Sequence, residues 1–342
     1  MADPLLIATA AALLAASPAP AGGVLFEQTR PAMGTSCQIE VYARDAAAAS
    51  ELFEAAFDEI ERVEEMLSTY RPTSEISRIN AHAATAPVTT DPETFALLER
   101  ALFFASRSDG AFDVTVGRLI EAWGFFSKEK HRPTRVALDR ARRQVGWRHV
   151  ALDAAERTVA FRVPGLRLDL GGLGKGYALE RVARLLRGFG VRAALLEAGT
   201  SSYVAVGAPP GATGWPIRVP DPLDRTRTLS TVPLRDGALS TSGSYEKYFE
   251  LEGRRYSHIM DPRSGEPVQG MVQVTARTDS ALDSDMMSTA LFVLGPEQGA
   301  ALLDTVPGGQ ALLVREGTGP SAVIALNWSE PIDVAHRACP QS

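Results

Sequence analysis

The sequence has few cysteines and few clustered basic residues, and each shortage excludes a class of function. Only two thiols occur in 342 residues, Cys37 and Cys339, and two thiols do not make a metal site. Two interpretations are open: a disulfide between Cys37 and Cys339, or a buried Cys37 and an exposed Cys339 that do not pair. We slightly favour the second. A net charge of -6 with scattered basic residues excludes a general nucleic-acid binder. The local cluster at Arg140, Arg142 and Arg143 is interpreted as a solvated helix face.

The start of the chain carries an apolar run from 5 to 16 that has the length of a signal-peptide core. Ala19-Pro20-Ala21 resembles a cleavage site, so we expect residues 1–21 to be a signal peptide and the protein to be periplasmic. Asp3 precedes the run and no Lys or Arg does, which leaves a disordered or misassigned start as the alternative. The run is too short to indicate a spanning helix, although membrane association through an uncleaved segment stays open.

A glycine-rich turn that contains a lysine, 169–177, is the most informative motif of the chain. Glycines let the backbone approach a ligand closely, and a helix N-terminus offers free N–H groups to an anion. Lys175 adds a full positive charge, so the turn indicates a phosphate or pyrophosphate site, with a plain strand-to-helix turn as the alternative. It is not a P-loop, because Gly176 follows Lys175 where Ser or Thr is required. It is not the dinucleotide fingerprint either, because Tyr177 stands where a glycine is required.

His258 is a candidate acid or base, because histidine titrates near neutral pH. It stands before the turn residues Asp261-Pro262, and Asp261 is the candidate to orient it. The alternative is a histidine that only satisfies the turn.

Asp285 and Thr289 lie four residues apart on a predicted helix, so their side chains share one face. A carboxylate with a hydroxyl offers the hard oxygen ligands that suit Mg²⁺. The alternative is that Asp285 and Thr289 are polar residues near a helix N-terminus that bind no metal. Asp283 is a competing candidate ligand that lies nearer the helix cap.

Long predicted helices come early and strands dominate later, which predicts an α+β fold in one compact unit. Residues 209–222 are predicted to be a loop, and residues 22–31 the start of the mature chain. The predicted helices are 47–68, 92–107, 133–145, 178–186 and 283–294, and the predicted strands are 37–42, 149–152, 158–163, 166–170, 193–196, 203–206, 228–232, 238–241, 248–251, 272–276, 311–314 and 322–326.

The order of these motifs resembles that of the FAD:protein FMN transferases, the ApbE-type flavin transferases. The resemblance covers about residues 26–330 and implies a single ApbE-like domain over 26–335. Its matching segments are 33–35, 68–80, 110–113 through 123–125, 169–177, 196–207, 241–246, 258–265 and 285–295. The family often has Ile-Ala where this chain has Leu173-Gly174, and Gly-Gly where it has Gly199-Thr200.

The resemblance also implies which residues form the site. Met33 and Tyr70 would contact the flavin end of FAD, and Ala111, Phe112 and Asp113 would line its nucleotide pocket. Asp169 and Lys175 would bind FAD near the glycine turn, and His258 would lie by the pyrophosphate. Mg²⁺ would be held by the Gly172 carbonyl with Asp285 and Thr289.

The implied activity is Mg²⁺-dependent transfer of FMN from FAD to a Ser or Thr hydroxyl of a target flavoprotein, with release of AMP. His258 is then the candidate general base. The expected acceptor is an exported flavoprotein of a membrane electron-transfer complex. An Mg²⁺-dependent FAD pyrophosphatase and a non-catalytic periplasmic flavin-binding protein are the alternatives.

Overall fold

A computed structural model describes residues 23–127, 130–317 and 319–337. The predicted signal peptide and Cys339 lie outside these residues, whereas Cys37 is buried. Within the described residues the helices are α1 (Ala46–Leu67), α2 (Glu75–His82), α3 (Pro92–Arg107), α4 (Gly117–Ala122), α5 (Arg135–Arg142), α6 (Gly174–Gly188) and α7 (Ala281–Leu303).

The strands number fifteen in the described part of the chain, and the predicted α+β class is confirmed. They are β1 (Val24–Ala32), β2 (Thr35–Ala43), β3 (Val88–Thr89), β4 (Val150–Asp153), β5 (Thr158–Phe161), β6 (Ala193–Ala198), β7 (Ser202–Gly207), β8 (Trp215–Pro220), β9 (Thr228–Leu234), β10 (Ala238–Gly243), β11 (Tyr248–Leu251), β12 (Arg254–Ser257), β13 (Met271–Thr278), β14 (Gln310–Arg315) and β15 (Val323–Leu326).

An eight-stranded antiparallel sheet in the order β1-β2-β6-β7-β10-β13-β14-β15 forms the centre of the fold. A three-stranded sheet, β3-β5-β4, and two hairpins, β8-β9 and β11-β12, accompany it. The predicted strands 311–314 and 322–326 correspond to β14 and β15, which pair with each other as antiparallel neighbours.

Both faces of the central sheet are covered. Because successive side chains of a strand point to opposite faces, each strand contributes residues to two different hydrophobic clusters. In β6, Ala194 and Leu196 pack with helices α1 and α6. Ala193 and Leu195 point to the other face and pack with the β8-β9 hairpin. Burial on both faces explains why the first four residues of β6, 193–196, are all apolar.

Several sequence-based boundaries were wrong. Strand β8 lies in the predicted loop 209–222, since its alternating Trp215, Ile217 and Val219 are buried against β9 while its prolines lie in a two-stranded hairpin. The sequence patterns also did not predict strand β1, which pairs with β2 along its whole length. Residues 166–170 are buried at every leucine but make only a single bridge, from Arg167 to Val116.

Helix boundaries also differ from the predictions. Helix α6 begins at Gly174, so the lysine of the glycine turn stands in its first turn. Helix α7 extends to Leu303 across a break at Gly295, whose φ of 71° is left-handed and which precedes Pro296. Helix α5 is shorter than predicted, with Thr134 as its N-cap. The sequence patterns did not predict α2 or α4.

No helix in the described ranges is both long enough and apolar enough to cross a membrane.

Candidate active site

The β1–β2 hairpin places Met33 at the start of α6. Met33 and Gly34 form its two-residue turn with φ values of 53° and 70°. A type I′ hairpin turn requires positive φ at both of these positions. The Met33 amide donates a 2.6 Å hydrogen bond to the Glu64 carboxylate. A Cβ added to Gly174 would lie 3.6 Å from the Met33 Cε, which is ordinary contact. The alanine that the family often has at 174 would therefore fit here.

The predicted nucleotide residues 111–113 are buried beside the glycine turn. Phe112 packs edge-on against Phe104, and its Cε2 lies 3.2 Å from where a Cβ of Gly172 would be. The Asp113 carboxylate accepts from the Thr115 amide at 2.8 Å and from the Trp147 amide at 2.7 Å. Burial raises the pKa of Asp113. This carboxylate therefore fixes its own loop, and it also lines a cavity of about 440 Å³.

Asp169 joins this loop to the glycine turn. Its amide donates to the Val114 carbonyl at 2.7 Å, and its carboxylate accepts from the Gly171 amide at 2.9 Å. Burial raises the pKa of the Asp169 carboxyl. The same carboxylate is near the ring of Tyr70, which is 71% exposed and packs edge-on against Phe126. Tyr70 thus offers an accessible aromatic face beside the turn.

Helices α6 and α7 cap each other. Asp285 of α7 accepts from the Gly176 amide in the first turn of α6 at 2.7 Å. Glu180 of α6 accepts from the Leu282 amide in the first turn of α7 at 3.2 Å. Each carboxylate also sits where a helix dipole favours negative charge. This long-range cap explains why α6 begins earlier than its local sequence predicts.

Gly176 is required for this close approach. A Cβ at this position would lie 2.2 Å from the Ala281 carbonyl oxygen and 3.0 Å from the Asp285 Cβ. We expect Gly176→Ala to lower the free energy of unfolding by about 3 kcal/mol, as overpacking against backbone does. Gly188→Ala is the control in the same helix, since no atom lies within 4 Å of its added Cβ. That variant should gain about 0.5–1 kcal/mol, measured by urea unfolding.

Asp285 and Thr289 do share a face of α7, next to Gly172. A Cβ of Gly172 would lie 3.5 Å from the Thr289 hydroxyl oxygen. One carboxylate, one hydroxyl and one carbonyl are hard oxygen donors, and this set fits Mg²⁺. Asp283, the competing ligand, is instead paired with Arg100 at 2.6 and 2.7 Å. Among the described residues, no three His, Cys, Asp or Glu side chains cluster as metal ligands.

His258 is oriented by a backbone carbonyl and not by Asp261, so the predicted partner was wrong. The β11-β12 hairpin brings the flanking residues Lys247 and His258 together, and the Lys247 carbonyl accepts from the His258 Nδ1 at 3.1 Å. Asp261 instead accepts from the amide and side chain of Arg263, both at 2.9 Å. Because a carbonyl can only accept, Nδ1 carries the proton and Nε2 is left as a free base.

The environment of His258 keeps its ring neutral. Burial lowers the pKa of His258 to about 4, and repulsion from the ammonium groups of Lys247 and Lys175 contributes to the shift. The hairpin that carries it is anchored by the stack of Tyr256 on Trp123, whose ring centroids lie 5.3 Å apart. At neutral pH the site therefore holds an unprotonated imidazole.

Comparison with known proteins identifies the family. A family model of the ApbE family matches residues 33–313. The chain belongs to the ApbE family. It is 35% identical over 298 residues to a Treponema pallidum protein named FAD:protein FMN transferase, covering 82% of each chain. A Salmonella typhimurium protein of the same name is 31% identical over 306 residues, covering 88% of this chain and 86% of its own.

Solved ApbE structures share the fold. The ApbE protein of Thermotoga maritima superimposes with a TM-score of 0.81 at 33% identity, covering 88% of this chain and 97% of its own. The flavinyl transferase ApbE of Pseudomonas stutzeri, in its apo form, gives a TM-score of 0.78 at 31% identity, covering 90% and 95%. The resemblance predicted from the motifs is confirmed.

One departure from the usual ApbE pattern carries strain. Thr200 adopts a φ of 55° where the family often has glycine, and a β-branched residue is unfavourable there. We expect Thr200→Gly to raise the free energy of unfolding by about 1 kcal/mol, since relief of strain exceeds the entropy cost of glycine. Thr200→Ala keeps a Cβ and should gain less. Urea unfolding of the three proteins measures both changes.

Four partners of the predicted site residues escaped the sequence patterns. Glu64 contacts Met33, and Ser201 contacts Lys175. Ser202 contacts Asp285, and the carbonyl of Lys247 contacts His258. Ser202 and Asp285 are 83 positions apart, and Glu64 and Met33 are 31 apart. No local spacing links residues at such separations. The roles of the site residues toward FAD and Mg²⁺ stay predictions.

Proposed function

We propose that this ApbE-family protein transfers FMN from FAD to a Ser or Thr hydroxyl of a target flavoprotein and releases AMP. The observation that carries the proposal is that Lys175 and Asp285 meet at the first turn of α6, with Thr289 beside the glycine turn that precedes it. Lys175 supplies a positive charge, Asp285 and Thr289 supply oxygen ligands, and His258, whose pKa is lowered by burial and in part by Lys175, supplies a neutral base. A positive charge and a bound cation stabilise the phosphate oxygens during transfer, and a base accepts the proton of the attacking hydroxyl.

The transfer step exchanges one P–O bond for another. The acceptor hydroxyl oxygen attacks the phosphorus of the FMN half, and the bond from that phosphorus to the bridging oxygen breaks. AMP leaves with the bridging oxygen, and the hydroxyl proton moves to the Nε2 of His258. Lys175 stabilises the negative charge on the phosphate oxygens, as does the N-terminus of α6.

Asp285, Thr289 and the Gly172 carbonyl are the proposed Mg²⁺ ligands. When bound, Mg²⁺ would neutralise charge on the pyrophosphate oxygens. Each oxygen of Asp285 accepts one hydrogen bond from the protein and keeps a second lone pair for a cation.

The two ends of FAD would be recognised by different parts of the site. The exposed ring of Tyr70 offers a flat surface for the isoalloxazine, with Met33 beside the glycine turn. The buried segment 111–113 would line the nucleotide pocket.

AMP release with and without an acceptor tests this function. The purified protein is incubated with FAD and Mg²⁺, alone and with a flavoprotein acceptor, and nucleotides are followed by chromatography. Transfer predicts AMP only when the acceptor is present, in amounts that match the acceptor. Free FMN with AMP in the absence of acceptor would identify a pyrophosphatase. FAD retained without AMP in both reactions would identify a binding protein.

We also propose that residues 1–21 direct export to the periplasm, where the acceptor flavoprotein would be found. The apolar run 5–16 and the small residues 19–21 support this. Cell fractionation tests it, and recovery of the protein in the cytoplasm alone would contradict it.

A further inference from the structure

The end of the β6–β7 turn and the first residue of β7 place two buried hydroxyls against two charged groups of the site, Lys175 and Asp285. Ser201 and Ser202 are only 4% and 1% exposed. The Lys175 ammonium donates to the Ser201 hydroxyl. The Ser202 hydroxyl donates to the Asp285 carboxylate at 3.0 Å. Two consecutive residues at the start of β7 thus contact both the cation and the carboxylate.

The direction of each hydrogen bond is set by its surroundings. Ser201 can donate its own proton to the Ala198 carbonyl, 3.4 Å away, which leaves its lone pair for the ammonium of Lys175. Ser202 donates to one carboxylate oxygen of Asp285, while the Gly176 amide donates to the other at 2.7 Å. With one donor on each oxygen, the plane of the carboxylate is fixed.

We propose that Ser201 and Ser202 are positioning residues of the flavin-transfer site. Ser202 holds Asp285 in the orientation that binds a divalent cation, and Ser201 holds Lys175 in the orientation that binds the pyrophosphate of FAD. The inference rests on the proposed function, because that function assigns the cation to Asp285 and the phosphates to Lys175. Neighbours that orient a metal ligand typically change metal affinity when they are removed.

Ser240 provides a matched control for Ser202. It is also 1% exposed, it lies on the neighbouring strand β10, and its hydroxyl contacts Ser284 on α7 at 2.9 Å. Ser284 directly precedes Asp285, so the two serines bridge the same sheet to the same helix. Ser240→Ala removes a buried hydroxyl from this interface without removing a contact to the carboxylate.

The first measurement is Mn²⁺ binding to the purified protein, followed by electron paramagnetic resonance of the free ion without FAD or acceptor. We expect Ser202→Ala to weaken binding by about 10–100-fold, the range for loss of such a partner. Ser240→Ala should bind within about twofold of the wild type, and Ser202→Thr, which keeps a hydroxyl, should bind more tightly than Ser202→Ala. Thermal unfolding of each variant checks that it is folded.

The second measurement is FAD binding in the presence of EDTA, followed by quenching of flavin fluorescence. We expect Ser201→Ala to weaken FAD binding by about threefold to tenfold, the effect of losing one hydrogen bond. The same variant should leave Mn²⁺ binding within about twofold of the wild type. Ser202→Ala should show the reverse pattern, and a general loss of packing would not separate the two affinities in this way.

The outcomes separate this inference from the proposed function. Equal Mn²⁺ affinities of wild type, Ser202→Ala and Ser240→Ala would overturn the role of Ser202 and leave the transferase in place. Equal losses in the two alanine variants would also overturn it, because they would report the interface and not the carboxylate. A wild type that binds no Mn²⁺ would overturn both the inference and the proposed metal site. Unchanged FAD affinity in Ser201→Ala would overturn the role of Ser201.

Discussion

Replacing His258 with alanine is expected to lower the rate of FMN transfer by about 10²–10⁴-fold, the range for loss of a general base. FAD binding should persist, because the other residues proposed to bind FAD remain. The expected rate loss follows from the free Nε2 of a ring whose Nδ1 donates to the Lys247 carbonyl. Single-turnover transfer to an acceptor measures the rate, and fluorescence quenching measures binding.

His82→Ala is the control for a general effect of losing a histidine. His82 is exposed at the end of α2, so its loss should leave transfer unchanged. Full transfer activity in the His258→Ala variant would remove His258 from the chemical step.

The pH dependence gives a second test of the same residue. A general base acts when unprotonated, and burial lowers the pKa of His258 to about 4. The transfer kcat/KM, which reports the free enzyme, should therefore be flat from neutral pH down to about pH 5 and fall below about pH 4. In the His258→Ala variant this acidic limb should be absent. A limb near the ordinary histidine value would contradict the described environment.

Replacing Asp285 with alanine is expected to abolish the response of the reaction to Mg²⁺ and to lower the rate by about 10³-fold. A bound metal contributes several kcal/mol of charge stabilisation, and about 4 kcal/mol corresponds to that factor. The substitution also leaves the Gly176 amide without its acceptor at the start of α6. Initial rates over a titration of Mg²⁺ measure the change.

Asp283→Ala is the matched control for Asp285. It removes a carboxylate two residues earlier in α7, where Arg100 is the partner. Arg100 is half exposed, so the pair contributes about 1 kcal/mol or less to stability. The variant should keep the Mg²⁺ response of the wild type, because Asp283 is not a proposed metal ligand. If Asp285→Ala retained that response as well, Asp285 would not be a metal ligand.

Local sequence was sufficient for the features that depend on local chemistry. Gly171 and Gly172 predicted the turn before α6, and the four-residue spacing of Asp285 and Thr289 predicted their shared face. The family followed from the order of several such motifs along the chain, and comparison with relatives confirmed it.

Contacts between distant elements could not be predicted in the same way. Asp261 was the nearest carboxylate to His258 in sequence, but the β11-β12 hairpin returns the chain to Lys247 instead. Helix α6 begins early because a carboxylate from α7 caps it, and nothing within the glycine turn signals that partner. Strand β8 was missed because its prolines suggest a loop, whereas β9 pairs with it.

The mass of an acceptor flavoprotein after incubation with this protein, FAD and Mg²⁺ tests the central claim most directly. The account predicts a gain equal to FMN less one water, located on a Ser or Thr by fragmentation and lost when that residue is replaced by alanine. An acceptor of unchanged mass, in a reaction that has converted FAD to free FMN and AMP, would contradict it.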